Sequence, residues 1–117
     1  MSDYTYDAFV RSIHDGDTVK IDIDLGFKLW IHGLSIRLYG INAPELNTPE
    51  GKKAKAVLEG ILPINRPVVI ETVKDKTEKY GRILAKFFVI PGQPTVNDQM
   101  VTLGAAKAYF GVGAKPT

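Results

Sequence analysis

"DGDTVKIDIDL", residues 15–25, is the stretch from which the rest of the chain can be read. From Thr18 to Leu25 the alternation is unbroken, with Val19, Ile21, Ile23 and Leu25 on one side and Thr18, Lys20, Asp22 and Asp24 on the other. Successive side chains of a strand point to opposite faces, so this segment is a strand with one face in a core and one in water. The Asp-Gly-Asp ahead of it signals a tight turn, and "YDAFVRSI" before the turn is strand-like. A β-hairpin from about Tyr4 to Leu25 is predicted.

Further along, "GFKLWI" extends the second strand or forms a flap, and His32-Gly33 is expected to turn the chain into "LSIRLYGI". There Leu34, Ile36 and Leu38 alternate with Ser35, Arg37 and Tyr39, which predicts a third strand. Thr48 as N-cap, Pro49 at the first helical position and Glu50 in the first turn predict a helix. Its apolar stripe is Ala54, Val57, Leu58 and Ile61, with Lys52, Lys53 and Lys55 away from the centre. "PVVIETV" and "RILAKFFVI" are a fourth and a fifth strand, joined by the polar loop "KDKTEKYG". Asn97 is expected to cap a short helix, "NDQMVTL", closed by Gly104, and the tail holds a short extended piece before it frays from about residue 111. Five short strands with a helix after the third make an α+β, mainly β, fold: a five-stranded oligonucleotide-binding-type (OB-fold) barrel with two or three short helices.

The 117 residues, 44% hydrophobic and 24% charged, fit one domain over residues 1–117 with one core. The absence of cysteine excludes thiolate catalysis, cysteine-based zinc sites and disulfides. "MSDYTYDAFV" has no basic n-region and no apolar core, and no stretch reaches the length of a membrane span. The expectation is therefore no signal peptide and no membrane partner, with a location that is unknown and cytoplasmic only by default; a monomer is expected. Fifteen Lys and Arg against thirteen Asp and Glu leave a net charge of +2, too little to announce a nucleic-acid binder by bulk charge. The basic residues gather in "GKKAKA" and "VKDKTEKYGR".

Asp17 shares the parity of Val19 and Ile21, the inward residues, yet it is acidic. An inward carboxylate at a strand's first residue must meet water at the barrel mouth, a cation, or hydrogen-bond donors. Capping the turn is the competing explanation, and it covers Asp15 more fully. The loop "GINAPEL" offers the Asn42 amide oxygen, the Ala43 peptide carbonyl and the Glu45 carboxylate, hard donors of the kind that Ca²⁺ or Mg²⁺ selects. A plain Asn-Pro turn would carry the same residues. Arg37 and Arg82 each lie beside a glycine-containing turn, and guanidinium forks grip phosphate oxygens bidentately. For either arginine alone a surface ion pair is the default.

Taken together, "DGDTVKI", "IRLYGINAPE", "KYGRILA" and "VNDQMVTLGAA", in this order and spacing, resemble the staphylococcal nuclease (thermonuclease-like) family. That family's pattern runs through a DGDT turn, an RLxGIDxPE loop, a YGR strand and a VNxxLVxxGxA helix. The likeness covers about residues 5 to 110. It implies a Ca²⁺-dependent hydrolase of phosphodiester bonds in DNA or RNA without strong sequence specificity, with Mg²⁺ or another divalent cation as alternatives. It assigns the metal to Asp17, Asn42 and the backbone carbonyl of Ala43, with Asp15 in an outer shell. Arg37, Glu45 and Arg82 become the catalytic residues, and Lys79, Tyr80, Tyr109 and Phe110 the substrate contacts. Asn42 departs from the pattern: it stands where the family has an aspartate and lowers the ligand charge by one. The alternative is a catalytically silent barrel that binds nucleic acid or protein, but such relatives lose several of Asp17, Arg37, Glu45 and Arg82, and all four are present here.

Overall fold

The computed structural model describes residues 4–77, 82–90 and 92–109, with the backbone alone at 74–77. The Asp15-Gly16-Asp17 turn joins β1 (Thr5–Asp15) to β2 (Thr18–Gly26), as the alternation predicts. The next turn is Phe27-Lys28, both in the left-handed region at φ 55° and 65°, and β3 (Leu29–Leu38) starts directly after it. Two successive positive φ angles give the twist that fits a two-residue hairpin. His32-Gly33 is therefore not a turn but part of β3. Ile21 pairs with Leu34 and Ile23 with Ile31, so the single residue Asp22 faces two residues of β3. That is a β-bulge, with Gly33 at φ 69°.

After β3 come β4 (Ile41–Asn42), α1 (Pro49–Ile61), β5 (Pro67–Thr77), β6 (Ile83–Phe88), α2 (Val96–Thr102) and β7 (Lys107–Ala108). Strands β1, β2, β3, β6 and β5 close a barrel in that order, and β4 pairs with β7 in a separate two-stranded sheet. All barrel neighbours are antiparallel except β3 and β6, where Ile36, Arg37 and Leu38 face Ile83, Leu84 and Ala85. A parallel pair cannot be joined by a tight turn, and the connection between these two carries α1 and β5. Strand β5 runs to Thr77, four residues past the predicted end, and so takes in the first half of the "KDKTEKYG" loop.

The barrel interior is filled by Val10, Val19, Ile21, Ile36, Leu38, Ile70, Ala85 and Phe87, none more than 1% exposed. Helix α1 closes the core with Ala54 and Leu58, and its Val57 and Ile61 pack at the margin. Its N-cap is Thr48, whose Oγ1 accepts from Gly51 N at 3.0 Å. Helix α2 corrects the sequence reading: its N-cap is Thr95, whose Oγ1 accepts from Asp98 N at 3.1 Å. Asn97, expected as the cap, is instead 3% exposed inside the helix. Its Nδ2 donates to Tyr39 O (2.8 Å) and Ala85 O (3.0 Å), and its Oδ1 accepts from Phe87 N (3.1 Å). Strand β6 pairs with β3 only as far as Ala85, and Asn97 takes over the exposed edge beyond that point. The C-terminus of α2 closes at Gly104, as predicted, with Gly104 N bonded to Val101 O and Ala105 N to Met100 O. Among the described residues no helix is long and apolar enough to cross a membrane.

Candidate active site

The site is built where the β1–β2 turn, the end of β3 and the start of β6 meet. Asp17 is 8% exposed, consistent with its inward parity. Its Oδ2 accepts from Ala43 N at 2.9 Å, and its Oδ1 accepts from Thr18 Oγ1 at 3.2 Å. Arg37, also 8% exposed, sits opposite Thr18 in the β2–β3 ladder. Its Nη2 lies 3.6 Å from Asp17 Oδ2 and donates to Ile41 O (3.1 Å) and Asn42 Oδ1 (3.3 Å). Arg82, immediately before β6, donates from Nη1 to Thr18 Oγ1 at 3.0 Å. Thr18 thus joins the second arginine to the carboxylate, though strict alternation places it on the polar face. It is 1% exposed, with Arg37 across the ladder and the Arg82 guanidinium on its hydroxyl.

Asp15 completes the turn: its Oδ1 accepts from Asp17 N at 3.0 Å, and its Oδ2 is 3.9 Å from His14 Nε2. Burial, then the adjacent Asp15, push the Asp17 carboxyl up to about 6, against the pull of Ala43 N–H and Arg37. Burial also works to raise Asp15, but its hydrogen bonds with Asp17 outweigh it and hold Asp15 below the usual carboxylate range. The turn therefore keeps one carboxylate charged and its neighbour close to protonation, with like charges as a cause. Gly16 between them is required for space. A Cβ there would lie 2.7 Å from the Cβ atoms of both Ala43 and Ala54, so a side chain would push the Ala43 loop off Asp17.

The "GINAPEL" loop is held from both sides. Ile41 and Asn42 pair with Ala108 and Lys107, which makes β4 a strand where the sequence suggested only loop. Glu45 O accepts from Thr48 N (3.0 Å) and Thr48 Oγ1 (2.6 Å), and a Cβ on Gly51 would overlap that same carbonyl. The Glu45 side chain is exposed and lines a cleft of about 850 Å³ together with Asn42, Ala43, Lys53, Leu103 and Lys107. Among the described residues, the side-chain bonds of Asp17 and Arg37 go to Thr18, Ile41, Asn42, Ala43 and each other and leave the Glu45 side chain out. Tyr109 continues past β7, its N–H donating to Gly40 O at 2.8 Å. Lys79, Tyr80 and Phe110 lie outside the described residues.

The structure thus brings together Asp15, Asp17, Arg37, Asn42, Ala43 and Arg82, and adds Gly16 and Thr18. Among the described residues no three His, Cys, Asp or Glu side chains cluster as a metal cage, so a cation here would rest on the Asp15 and Asp17 carboxylates and on neutral oxygens. Those donors are hard, and the two carboxylates lie side by side, with Asp15 Oδ1 on Asp17 N at 3.0 Å. The donor set fits a divalent cation of the Ca²⁺ or Mg²⁺ kind.

The likeness to known proteins agrees with this layout. A family model described as staphylococcal nuclease homologue matches residues 35–117, which include Arg37, Asn42, Glu45 and Arg82 but not Asp17. The chain is also 36% identical over 107 residues to Protein ParB of Escherichia coli, an alignment covering 86% of this chain and 55% of that protein. It spans about half the length of that relative. With the family model covering well over half of it and the closed barrel beneath, the chain belongs to the staphylococcal nuclease homologue family.

Proposed function

We propose that the protein is a divalent-metal-dependent nuclease, using Ca²⁺ and hydrolysing phosphodiester bonds of accessible DNA or RNA without strong sequence specificity. The observation that carries this reading is the single polar network from Arg37 through Asp17 and Thr18 to Arg82 at one mouth of the barrel. A buried guanidinium at a buried carboxylate, with a second guanidinium one hydroxyl away, is a poor use of charge for stability alone, because desolvation offsets much of the attraction. It is a good arrangement for a phosphate.

Asp17, with Asp15 behind it and the Asn42-Ala43 segment beside it, would hold the cation, which when bound supplies positive charge to the phosphate. Arg37 and Arg82 take the non-bridging oxygens and bind them most tightly as charge develops there. The Asn42 amide accepts from Arg37 and fixes the plane of that guanidinium. Glu45, on the open cleft, takes the proton of the attacking water.

A second reading has one observation in its favour: Glu45 stands apart from the network, as it would in a barrel that binds nucleic acid without cutting it. Incubation of labelled single-stranded DNA with Ca²⁺ or EDTA separates the two. Cleavage is expected with Ca²⁺ only, falling at least about a hundredfold in Glu45→Gln and in Arg82→Ala. Retention of labelled DNA with no cleavage under either condition would establish the binding module.

A further inference from the structure

The outer face of β1, β2 and β3 carries a second constellation that this chemistry leaves unused. Phe9 of β1 stacks on Trp30 of β3 with centroids 5.9 Å and planes 23° apart, and Trp30 stacks on His32 at 6.2 Å and 5°. Phe9 and Trp30 each remain 40% exposed, so three aligned rings face water. Beside them is a recess of about 400 Å³ lined by Arg11, Ser12, Lys20, His32 and Gly33. Each of these side chains can donate a hydrogen bond except glycine, and none is acidic. The two carboxylates on the outer face of β2 are occupied with the fold. Asp22 Oδ1 accepts from Gly33 N (3.0 Å) and lies 3.2 Å from His32 Nδ1 and 3.4 Å from Arg11 Nη1, while Asp24 accepts from Gly26 N (2.8 Å).

An aromatic platform next to a donor-lined recess matches one ligand chemistry: a flat base with an anion attached. We infer that this face is a second contact for single-stranded nucleic acid. One base stacks on Trp30 and its neighbours, and the adjoining phosphate is held by Arg11, Ser12 and Lys20. The inference rests on nucleic acid being the substrate, and it adds where a strand is gripped away from the bond that is cut. Lys20 is two residues beyond Thr18 on β2 and Asp22 four, roughly 7 and 13 Å along a strand. A strand leaving the Asp15-Gly16-Asp17 turn along β2 would cross the recess and then the rings. Stacking on an aromatic side chain tolerates any base, in keeping with a nuclease that ignores sequence.

Trp30 is the chain's one tryptophan, so its emission reports on this face and no other. In EDTA, a short oligothymidylate is expected to quench that emission saturably. Anisotropy of the dye-labelled oligomer should show binding about tenfold weaker to Trp30→Ala, largely restored in Trp30→Phe. Lys20→Ala should weaken binding and lower its salt dependence by about one phosphate contact. With Ca²⁺, Trp30→Ala should cut a long single strand less efficiently and a dinucleotide, too short to reach the rings, as well as wild type. Binding without quenching, or equal affinity of Trp30→Ala and wild type, overturns the inference. So does an oligomer that Trp30→Ala dissolves with oligonucleotide affinity unchanged, which would make the face a self-association surface. These outcomes leave hydrolysis untouched. The nuclease reading fails separately, if quenching occurs but Ca²⁺ produces no cleavage.

Discussion

Position 42 controls how Arg37 divides its charge. Its Nη2 reaches Asn42 Oδ1 at 3.3 Å and Asp17 Oδ2 at 3.6 Å, so a neutral residue at 42 leaves the guanidinium available to Asp17 and to a phosphate. A carboxylate there would add a charged oxygen beside any cation on Asp17, and Ca²⁺ affinity rises with ligand charge. Asn42→Asp is expected to bind Ca²⁺ about tenfold more tightly by calorimetry, a gain of about 1.4 kcal/mol. Equal affinities would show that residue 42 is no part of the cation site. Asn97 is the opposite kind of asparagine, with both ends of its amide committed to backbone. Asn97→Asp keeps the size but loses the donor, leaving Tyr39 O and Ala85 O facing a carboxylate. Urea unfolding should show a loss of about 2 kcal/mol, since a buried carboxylate then faces two carbonyl oxygens without a donor, while Ala85 O keeps the Tyr39 N–H at 2.9 Å. A loss under 1 kcal/mol would mean that Asn97 does not hold β6 to the end of β3.

At the scale of elements, regular periodicity was legible and its interruptions were not. The stripe of α1 and the middle of the β2 alternation follow from repeated burial of one face and appear as read. Both ends of β2 depart from it: Thr18 is buried, and Leu25, expected in the core, is 42% exposed beside the Phe27-Lys28 turn. The Phe27-Lys28 turn escaped notice because it has neither Gly nor Asn at its centre to signal positive φ. The bulge at His32-Gly33 looked like a turn because glycine serves both, and only the pairing of Asp22 tells them apart. For the site, the parity of Asp17 could be read, but the burial of Thr18 could not, because it depends on the residue across the ladder. Asp22 clamps that bulge, and its charge should be visible in stability. Desolvation alone would raise its carboxyl, but Gly33 N–H, His32 and Arg11 together hold it below the usual range. A depressed folded-state pKa contributes stability above the unfolded value near 3.9 and loses it as pH falls through the folded value. Asp22→Asn should therefore unfold at lower urea than wild type at neutral pH, and the gap should close as the pH falls through the lowered folded value. A gap that persists undiminished in acid would assign the effect to shape rather than charge.

For the molecule as a whole, the barrel carries a site that works against its own stability. Val19, Ile21, Ile36 and Leu38 leave no exposed surface, yet the mouth of the same strands holds Asp15, Asp17, Arg37 and Arg82. With Asp17 pushed from 3.8 up to about 6, its charged form at neutral pH disfavours the folded state by roughly 3 kcal/mol relative to the protonated one. Asp17→Asn resembles the protonated carboxyl, with an amide oxygen still able to accept from Ala43 N, so in EDTA this variant should be the more stable protein. A cation bound at Asp17 reverses the comparison, because anything that binds only the folded state stabilises it by mass action. At a hundredfold excess of Ca²⁺ over its dissociation constant, wild type should gain about 2.7 kcal/mol and Asp17→Asn almost none. Thermal unfolding of both proteins, with Ca²⁺ and with EDTA, gives the four values needed. An equal Ca²⁺ shift in the two would place the cation elsewhere, and a less stable Asp17→Asn in EDTA would make Asp17 a structural tie between β2 and the Ala43 loop. If the order of stability inverts when Ca²⁺ replaces EDTA, the charged mouth is kept for the cation and the phosphate it attracts, while the apolar interior keeps the barrel folded.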